Sequence, residues 1–158
     1  MSYESAIDIQ EYERVFAMDG TGFKSQKKGD YYANKHHRSK ETEWYNLEAL
    51  IGVRSGMIVC SSIYFKYSSS EREASLPIIK GAMDLGDKVE ELMGDKYYSG
   101  KDYRQTIHDM GVKRYYCEFR KDVNPPQDND HSVWAEQYRE FKGNSEEFYA
   151  HYDPNFTY

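Results

Sequence analysis

The chain has 158 residues and a mass of 18.6 kDa, which is enough for one domain with a buried core. Its two cysteines give no disulfide framework, and no apolar run is long enough to cross a membrane, so we expect a protein of the reducing cytoplasm. A net charge of −6 argues at first sight against a nucleic-acid partner. The charge is uneven, however, because residues 122–158 hold eight acids and two bases, which leaves residues 1–121 neutral.

The chain opens with a polar, acidic lead-in at residues 1–14, followed by an apolar run that predicts a buried strand. The strand begins at Val15 and is expected to end at Asp19, because Gly20 and Gly22 interrupt the run. A carboxylate at the end of a buried strand costs free energy unless a cation or backbone amides satisfy it. Asp19 is therefore either an Asx-type turn residue that closes the strand or a ligand of a bound cation.

A strongly basic segment follows the first strand. Six bases and one acid lie between Lys24 and Lys40, and residues 24–43 have neither a helical nor a strand period, which predicts a long loop or a loose hairpin. Such a segment can contact DNA phosphates, or it can be a solvated loop without a partner. The predicted phosphate contacts are Lys24, Lys27, Lys28, Lys35 and Arg38.

The rest of the chain alternates between strand and helix patterns. Period-two alternation over residues 45–53 and a β-branched, aromatic run over residues 57–65 predict a hairpin, with Glu48 on the polar face of its first strand. Turn and capping residues delimit the later elements. These are a helix that ends at Gly86 with Pro77 near its start, a strand over residues 89–93 that leads into Gly94 and Asp95, a helix capped by Ser99 and Gly111, a strand over residues 112–119, and one or two amphipathic helices within residues 132–151.

This order of elements is that of an RNase H-like domain, a single α/β domain with a mixed five-stranded sheet flanked by helices. The first three strands are expected to form an antiparallel meander, and the later strands to lie parallel to the first. The first and fourth strands are neighbours in such a sheet, so Asp19 and Asp95 would face each other at one edge. Two carboxylates suit Mg²⁺, and a third would allow two ions about 3.5–4 Å apart. The alternative is that these acids are two unrelated turn residues.

Three stretches of the chain resemble the catalytic domain of an insertion-sequence transposase of the DDE type. They are the stretch around Asp19, residues 94–99 with the helix and residues 110–112 that follow, and residues 146–152. The resemblance implies a transposase core over residues 15–152 and a divergent tail at residues 153–158.

The resemblance also implies roles for individual residues. Asp19 and Asp95 match the first two catalytic, metal-binding acids, for which Mg²⁺ or Mn²⁺ is the expected cofactor. Lys96 and Tyr98 match the lysine and the tyrosine beside the second acid, and we expect both to contact DNA. The implied partners are transposon ends and target DNA, with a homodimer as the expected assembly and no membrane.

The C-terminal stretch departs from the family pattern. Tyr152 matches the tyrosine of the family's Tyr-x-x-Arg-x-x-x-Glu signature, but Asn155 stands where the arginine belongs. The glutamate, which is the third acid, would fall one position beyond Tyr158. Either another segment supplies this acid, with Glu146 or Glu147 as candidates, or the chain is a fragment or remnant that lacks it.

The leading hypothesis is therefore the catalytic core of a DNA transposase, which carries out metal-dependent strand cleavage and strand transfer and is impaired when it acts alone. Two alternatives stay open. One is a non-catalytic DNA- or protein-binding remnant of such a core. The other is a stand-alone RNase H-like nuclease that acts on a different substrate.

Overall fold

Five strands and three helices make up the part of the chain that the computed structural model describes, which is residues 12–24, 44–65 and 71–143. The strands are β1 (Val15–Lys24), β2 (Trp44–Gly52), β3 (Ile58–Phe65), β4 (Glu91–Gly94) and β5 (Arg114–Cys117). The helices are α1 (Glu71–Asp84), α2 (Lys101–Asp109) and α3 (Val133–Gly143), and a 3-10 turn (Lys96–Tyr98) joins β4 to α2.

The five strands form one mixed sheet in the order β3-β2-β1-β4-β5. Strand β2 is antiparallel to both β1 and β3, whereas β4 is parallel to β1 and β5 is parallel to β4. A short turn joins β2 to β3, and helices α1 and α2 provide the longer connections that precede β4 and β5. The predicted meander, the parallel later strands and the RNase H-like α/β class are confirmed.

The main core lies between one face of the sheet and helices α1 and α2. Strands β1 and β2 contribute Phe16, Met18 and Leu50, and these side chains pack with apolar residues of the two helices. Burial of each such side chain stabilises the fold by about 1.5–3 kcal/mol. The helical members of this core are Ile78, Ile79 and Ala82 from α1 and Tyr103 and Ile107 from α2.

A separate aromatic cluster attaches α3 to the sheet. The ring of Phe119, which follows β5, lies 6.0 Å from Trp134, 5.2 Å from Tyr138 and 5.4 Å from Phe141, measured between ring centroids. Pairs in such edge-on and tilted arrangements contribute about 0.5–1.5 kcal/mol beyond their buried area. The predicted amphipathic helix is therefore present from Val133 to Gly143, and its apolar face packs on Phe119.

Strand β1 is longer than its sequence predicts. It does not end at Asp19 but continues through Gly20 and Gly22 to Lys24. The reason is non-local, because β2 supplies a paired residue for every position from Phe16 to Lys24. A complete ladder of inter-strand hydrogen bonds outweighs the weak strand propensity of two glycines.

Two details of the helices also differ from prediction. Pro77 lies inside α1 rather than near its start. The N-cap of α2 is Gly100, with no side-chain hydrogen bond, so the predicted capping box at Ser99 does not form. None of the helices in the described ranges is long and apolar enough to cross a membrane.

Several predictions concern residues outside the described ranges. The basic segment is described only at its first residue, Lys24, and the C-terminal stretch that begins at residue 146 lies wholly outside the described ranges. The boundaries of the lead-in at residues 1–14 and of the tail at residues 153–158 stay predictions. The predicted site residues that fall outside the described ranges are Lys27, Lys28, Lys35, Arg38, Glu146 and Glu147.

Candidate active site

The parallel pairing of β1 with β4 brings the two predicted acids together. Met18 on β1 is paired with Gly94 on β4, and Asp19 and Asp95 each directly follow one of these paired residues. Strand β4 ends at Gly94, and Asp95 follows it directly, as the sequence predicts. Both residues are exposed, which leaves their carboxylates accessible at this edge of the sheet.

Asp95 is held through its side chain and its backbone. Its Oδ1 accepts the N–H of Tyr97 at 2.7 Å, which makes Asp95 the N-cap of the 3-10 turn. Its carbonyl oxygen accepts the N–H of Tyr98 at 3.1 Å and the thiol of Cys117 at 2.9 Å. Burial raises the pKa of the Cys117 thiol to about 11, so the sulfur carries its proton at neutral pH and can donate. These bonds fix the direction of the carboxylate.

Asp19 is held more simply. Its Oδ1 accepts the N–H of the next residue, Gly20, at 2.9 Å. Side chains alternate along a strand, so Asp19 points away from the face on which Met18 is buried. The backbone amide that an Asx-type turn would use is therefore present, but it lies within an extended strand and not in a turn.

The predicted DNA contacts have different surroundings. Lys24 is the last residue of β1, and Lys96 is exposed directly after Asp95. Tyr98 is only 2% exposed, and its hydroxyl donates to Glu48, so its side chain is a core residue and is not available to DNA. The adjacent Tyr97 is 39% exposed instead, with the guanidinium of Arg72 lying 5.8 Å from the centre of its ring.

Glu48 is the residue that the sequence pattern misplaced. It was predicted on the polar face of β2, yet it is 0% exposed. Its pairing with Gly20 turns its side chain toward the core, where it accepts the hydroxyl of Tyr98. One signal was available, because Leu50 lies two positions further along and therefore on the same face of the strand. That face could not be wholly solvated.

The donor set fits part of a site for a hard divalent cation. Within residues 12–24, 44–65 and 71–143, no group of three or more His, Cys, Asp or Glu side chains is arranged to hold a metal ion. The Oδ1 atoms of Asp19 and Asp95 each accept a backbone N–H, and their Oδ2 atoms accept no hydrogen bond from the described residues. Mg²⁺ is commonly bound by one or two carboxylates together with waters and substrate phosphates. The pair is compatible with such binding.

Comparison with protein families gives a match over most of the chain. The family described as "Transposase DDE domain" matches residues 11–151, which is most of the chain. A comparison with curated proteins gives no match.

Comparison with solved structures gives distant matches, including the following three. A chain of the simian T-cell lymphotropic virus intasome in complex with PP2A regulatory subunit B56 gamma is 14% identical with a TM-score of 0.43, and the alignment covers 92% of this chain and 44% of that chain. Endonuclease V from Bacillus subtilis is 11% identical with a TM-score of 0.31, and the alignment covers 80% of this chain and 63% of the endonuclease chain. The prototype foamy virus protease-reverse transcriptase is 12% identical with a TM-score of 0.31, covering 84% and 19%. The present chain therefore spans less than half the length of the intasome chain that it matches.

Proposed function

Because the chain belongs to the family of transposase DDE domains, we propose that Asp19 and Asp95 form the metal-binding carboxylate pair of an active site that cleaves and joins DNA strands. The observation that carries this proposal is the pairing of Met18 with Gly94, which makes the two acids neighbours at one edge of the sheet. DDE transposases generally use divalent metal ions, and Mg²⁺ or Mn²⁺ is the proposed cofactor here.

Each residue of the pair has a defined role in this proposal. Asp19 and Asp95 bind the cation through their Oδ2 atoms, which accept no hydrogen bond from the described residues. The N–H groups of Gly20 and Tyr97 orient the two carboxylates. When bound, a divalent cation activates a water or a DNA 3′-hydroxyl as nucleophile and stabilises the leaving oxygen.

We also propose that DNA approaches this edge of the sheet along a basic surface. Lys96 directly follows Asp95 and is exposed, so its ammonium group is available to a backbone phosphate. Tyr97 takes the place that was predicted for Tyr98, because its ring is exposed and flanked by the guanidinium of Arg72. The predicted phosphate contacts of the basic segment are Lys24, Lys27, Lys28, Lys35 and Arg38.

A DNA-binding role without efficient catalysis is the second candidate. The observation that favours it is in the sequence, where Asn155 stands in the place of the arginine of the family's signature. Transfer with two ions needs both ions in place, and two carboxylates leave the second ion weakly held. We therefore propose that catalysis by this chain alone is weak. Transposon ends and target DNA as substrates, a homodimer and a cytoplasmic location stay predictions.

A metal titration tests the carboxylate pair. Mn²⁺ binding, followed by electron paramagnetic resonance, should weaken at least tenfold in Asp19→Asn and in Asp95→Asn, because each loses a charged oxygen ligand. Asparagine keeps an oxygen that can accept the backbone N–H, so the fold is preserved. The control is Asp84→Asn at the exposed end of α1. Equal affinity in the wild type and in all three variants would disprove the paired site.

A salt titration tests the DNA surface. The slope of log affinity against log salt for duplex DNA should fall by about 0.9 for each phosphate contact that is removed. We expect this change for Lys96→Ala but not for Lys80→Ala, whose exposed lysine lies on α1. Identical slopes for the wild type and Lys96→Ala would show that Lys96 does not contact a DNA phosphate. Cleavage of DNA by the wild type with Mn²⁺, absent in Asp19→Asn, would favour the enzyme over the binding module.

A further inference from the structure

A fully buried carboxylate, Glu48, contacts both the strand that carries Asp19 and the turn that follows Asp95. Glu48 on β2 is 0% exposed, and Tyr98 in the 3-10 turn after β4 is 2% exposed. The hydroxyl of Tyr98 donates to Glu48 Oε1. The two residues come from elements on opposite sides of β1, since the sheet order places β1 between β2 and β4. Their hydrogen bond therefore passes across the strand that carries Asp19.

We propose that Glu48 and Tyr98 form a buried strut that positions Asp19 and Asp95 relative to each other. The strut contacts β1 at Gly20, where a Cβ would lie 2.8 Å from Glu48 Oε2, and Gly20 is the residue whose N–H holds the Asp19 carboxylate. At the other end, the N–H of Tyr98 bonds the carbonyl of Asp95 at 3.1 Å. One side-chain contact thus connects the backbone beside both carboxylates.

The energetics favour a positioning role over a purely structural one. Tyr98 belongs to the same buried cluster as Met18 and Leu50, and its partner Glu48 is a fully buried carboxylate. Burial of a carboxylate carries a desolvation cost, and a well-packed apolar pair of similar volume is often as stable or more stable. What a buried hydrogen-bonded pair adds is a unique geometry, because its hydrogen bond forms at only one relative placement of the two elements. In this protein that placement determines the position of Asp19 relative to Asp95.

The proposal rests on the proposed metal site, so its test has one measurement that does not involve metal. The variant is Tyr98→Phe, which deletes only the hydroxyl. Its matched control is Tyr103→Phe, because Tyr103 is also buried, at 6% exposed, and its hydroxyl bonds Ser75 Oγ at 2.6 Å. Each variant loses one buried hydrogen bond, so both should lower the unfolding temperature by similar amounts.

The first measurement is amide hydrogen exchange at Gly20 and Tyr97, whose N–H groups hold the two carboxylates. We expect Tyr98→Phe to speed exchange at both amides about 3–10-fold, the range that corresponds to one hydrogen bond. Tyr103→Phe should leave both rates within about twofold of the wild type. Glu48→Gln keeps an acceptor for the Tyr98 hydroxyl and should behave like the control, whereas Glu48→Leu should behave like Tyr98→Phe.

The second measurement is the Mn²⁺ affinity, which should fall about 3–10-fold in Tyr98→Phe and stay unchanged in Tyr103→Phe. Equal results for the two tyrosine variants in both measurements would overturn the strut. Faster exchange without a loss of affinity, in a wild type that binds Mn²⁺, would reduce the pair to a structural role and would also overturn it. If the wild type binds no Mn²⁺, the proposed metal site fails, and the exchange rates alone decide whether the strut holds the two carboxylates.

Discussion

The carboxylate of Glu48 occupies the space that a side chain on Gly20 would need, since a Cβ there would lie 2.8 Å from Glu48 Oε2. The glycine in the middle of β1 is therefore explained by its neighbour on β2 and not by a turn. Because Glu48 is fully buried and bonded by Tyr98, it cannot move aside without losing that bond. The glycine and the buried acid are a matched pair across the two strands.

This relationship predicts that Gly20→Ala destabilises the fold. The added methyl group displaces the Glu48 carboxylate from Tyr98, and overpacking of this kind costs about 1–3 kcal/mol. Gly22→Ala is the matched control on the same strand, because its Cβ would meet Asn46 Oδ1 at 3.4 Å and needs only a small adjustment. Urea unfolding at pH 7 should give a lower midpoint for Gly20→Ala alone. Equal midpoints for the two variants would contradict the explanation.

Sequence prediction succeeded for features that have local causes and failed for features that depend on residues distant in the chain. The order of elements predicted the sheet and the neighbouring positions of Asp19 and Asp95, because it depends on periods and turns that are visible within short windows. The predicted end of β1 was wrong because its partner β2 begins 20 residues after Lys24, beyond a segment of no clear pattern. The prediction that Glu48 lies on a polar face was wrong because alternation divides a strand into two faces but does not say which face a helix will cover.

Glu13 shows how a buried acid can be hidden within a polar lead-in. It is 1% exposed, and its Oε2 accepts the N–H groups of Arg54 and Ser55, both at 3.0 Å. Its Oε1 accepts the N–H of Val15 at 3.3 Å. The side chain therefore ties the start of β1 to the turn between β2 and β3.

These contacts predict that Glu13→Ala costs about 1–3 kcal/mol of unfolding free energy, since backbone donors lose a charged acceptor. Glu13→Gln keeps one acceptor oxygen and should cost less. The reference is Glu136→Ala, which removes an exposed acid from the first turn of α3 and should change stability by no more than about 0.5 kcal/mol. Chemical unfolding of all three variants measures the differences. A Glu13→Ala variant as stable as Glu136→Ala would show that the buried bonds carry no net stability.

Arg104 on α2 links three elements from a fully buried position. Its Nη1 donates to Gln137 Oε1 on α3 at 2.6 Å, and its Nη2 donates to the carbonyl of Cys117 on β5. The guanidinium also lies 4.0 Å from the centre of the Phe119 ring. Burial lowers the pKa of this guanidinium, but an arginine still remains charged at neutral pH.

We therefore expect Arg104→Lys to be strongly destabilising despite its retained charge. Lysine cannot supply the two forked donors or the planar face that stacks on Phe119, and a buried charge without its partners costs about 3–5 kcal/mol. Arg114→Lys is the matched control, because Arg114 is exposed and its pair with Glu91 at 2.9 Å is screened by solvent. The guanidinium chloride midpoints of both variants give the comparison. If Arg104→Lys unfolds at the same midpoint as Arg114→Lys, the guanidinium of Arg104 does not hold α2, α3 and β5 together.

Asp130, in the loop before α3, should make the stability of the fold depend on pH. Its Oδ1 accepts the N–H of Ser132 at 3.0 Å, and Lys101 Nζ lies 3.3 Å from its Oδ2. The backbone bond from Ser132 is the main cause that lowers the pKa of Asp130 from 3.8 to about 2, and Lys101 contributes further. A carboxyl whose pKa is depressed in the folded state stabilises that state above the unfolded pKa and loses this contribution as the pH falls through the folded value.

The stabilisation by ionised Asp130 should thus be complete above pH 3.8 and should disappear between pH 3.8 and about 2. The measurement is the difference in unfolding temperature between the wild type and Asp130→Asn, followed from pH 6 downwards. We expect a constant difference down to about pH 4 and a shrinking one below it. Asp128→Asn, an exposed residue of the same loop, should match the wild type at every pH. A difference between the wild type and Asp130→Asn that does not change with pH would mean that the charge of Asp130 does not stabilise the loop.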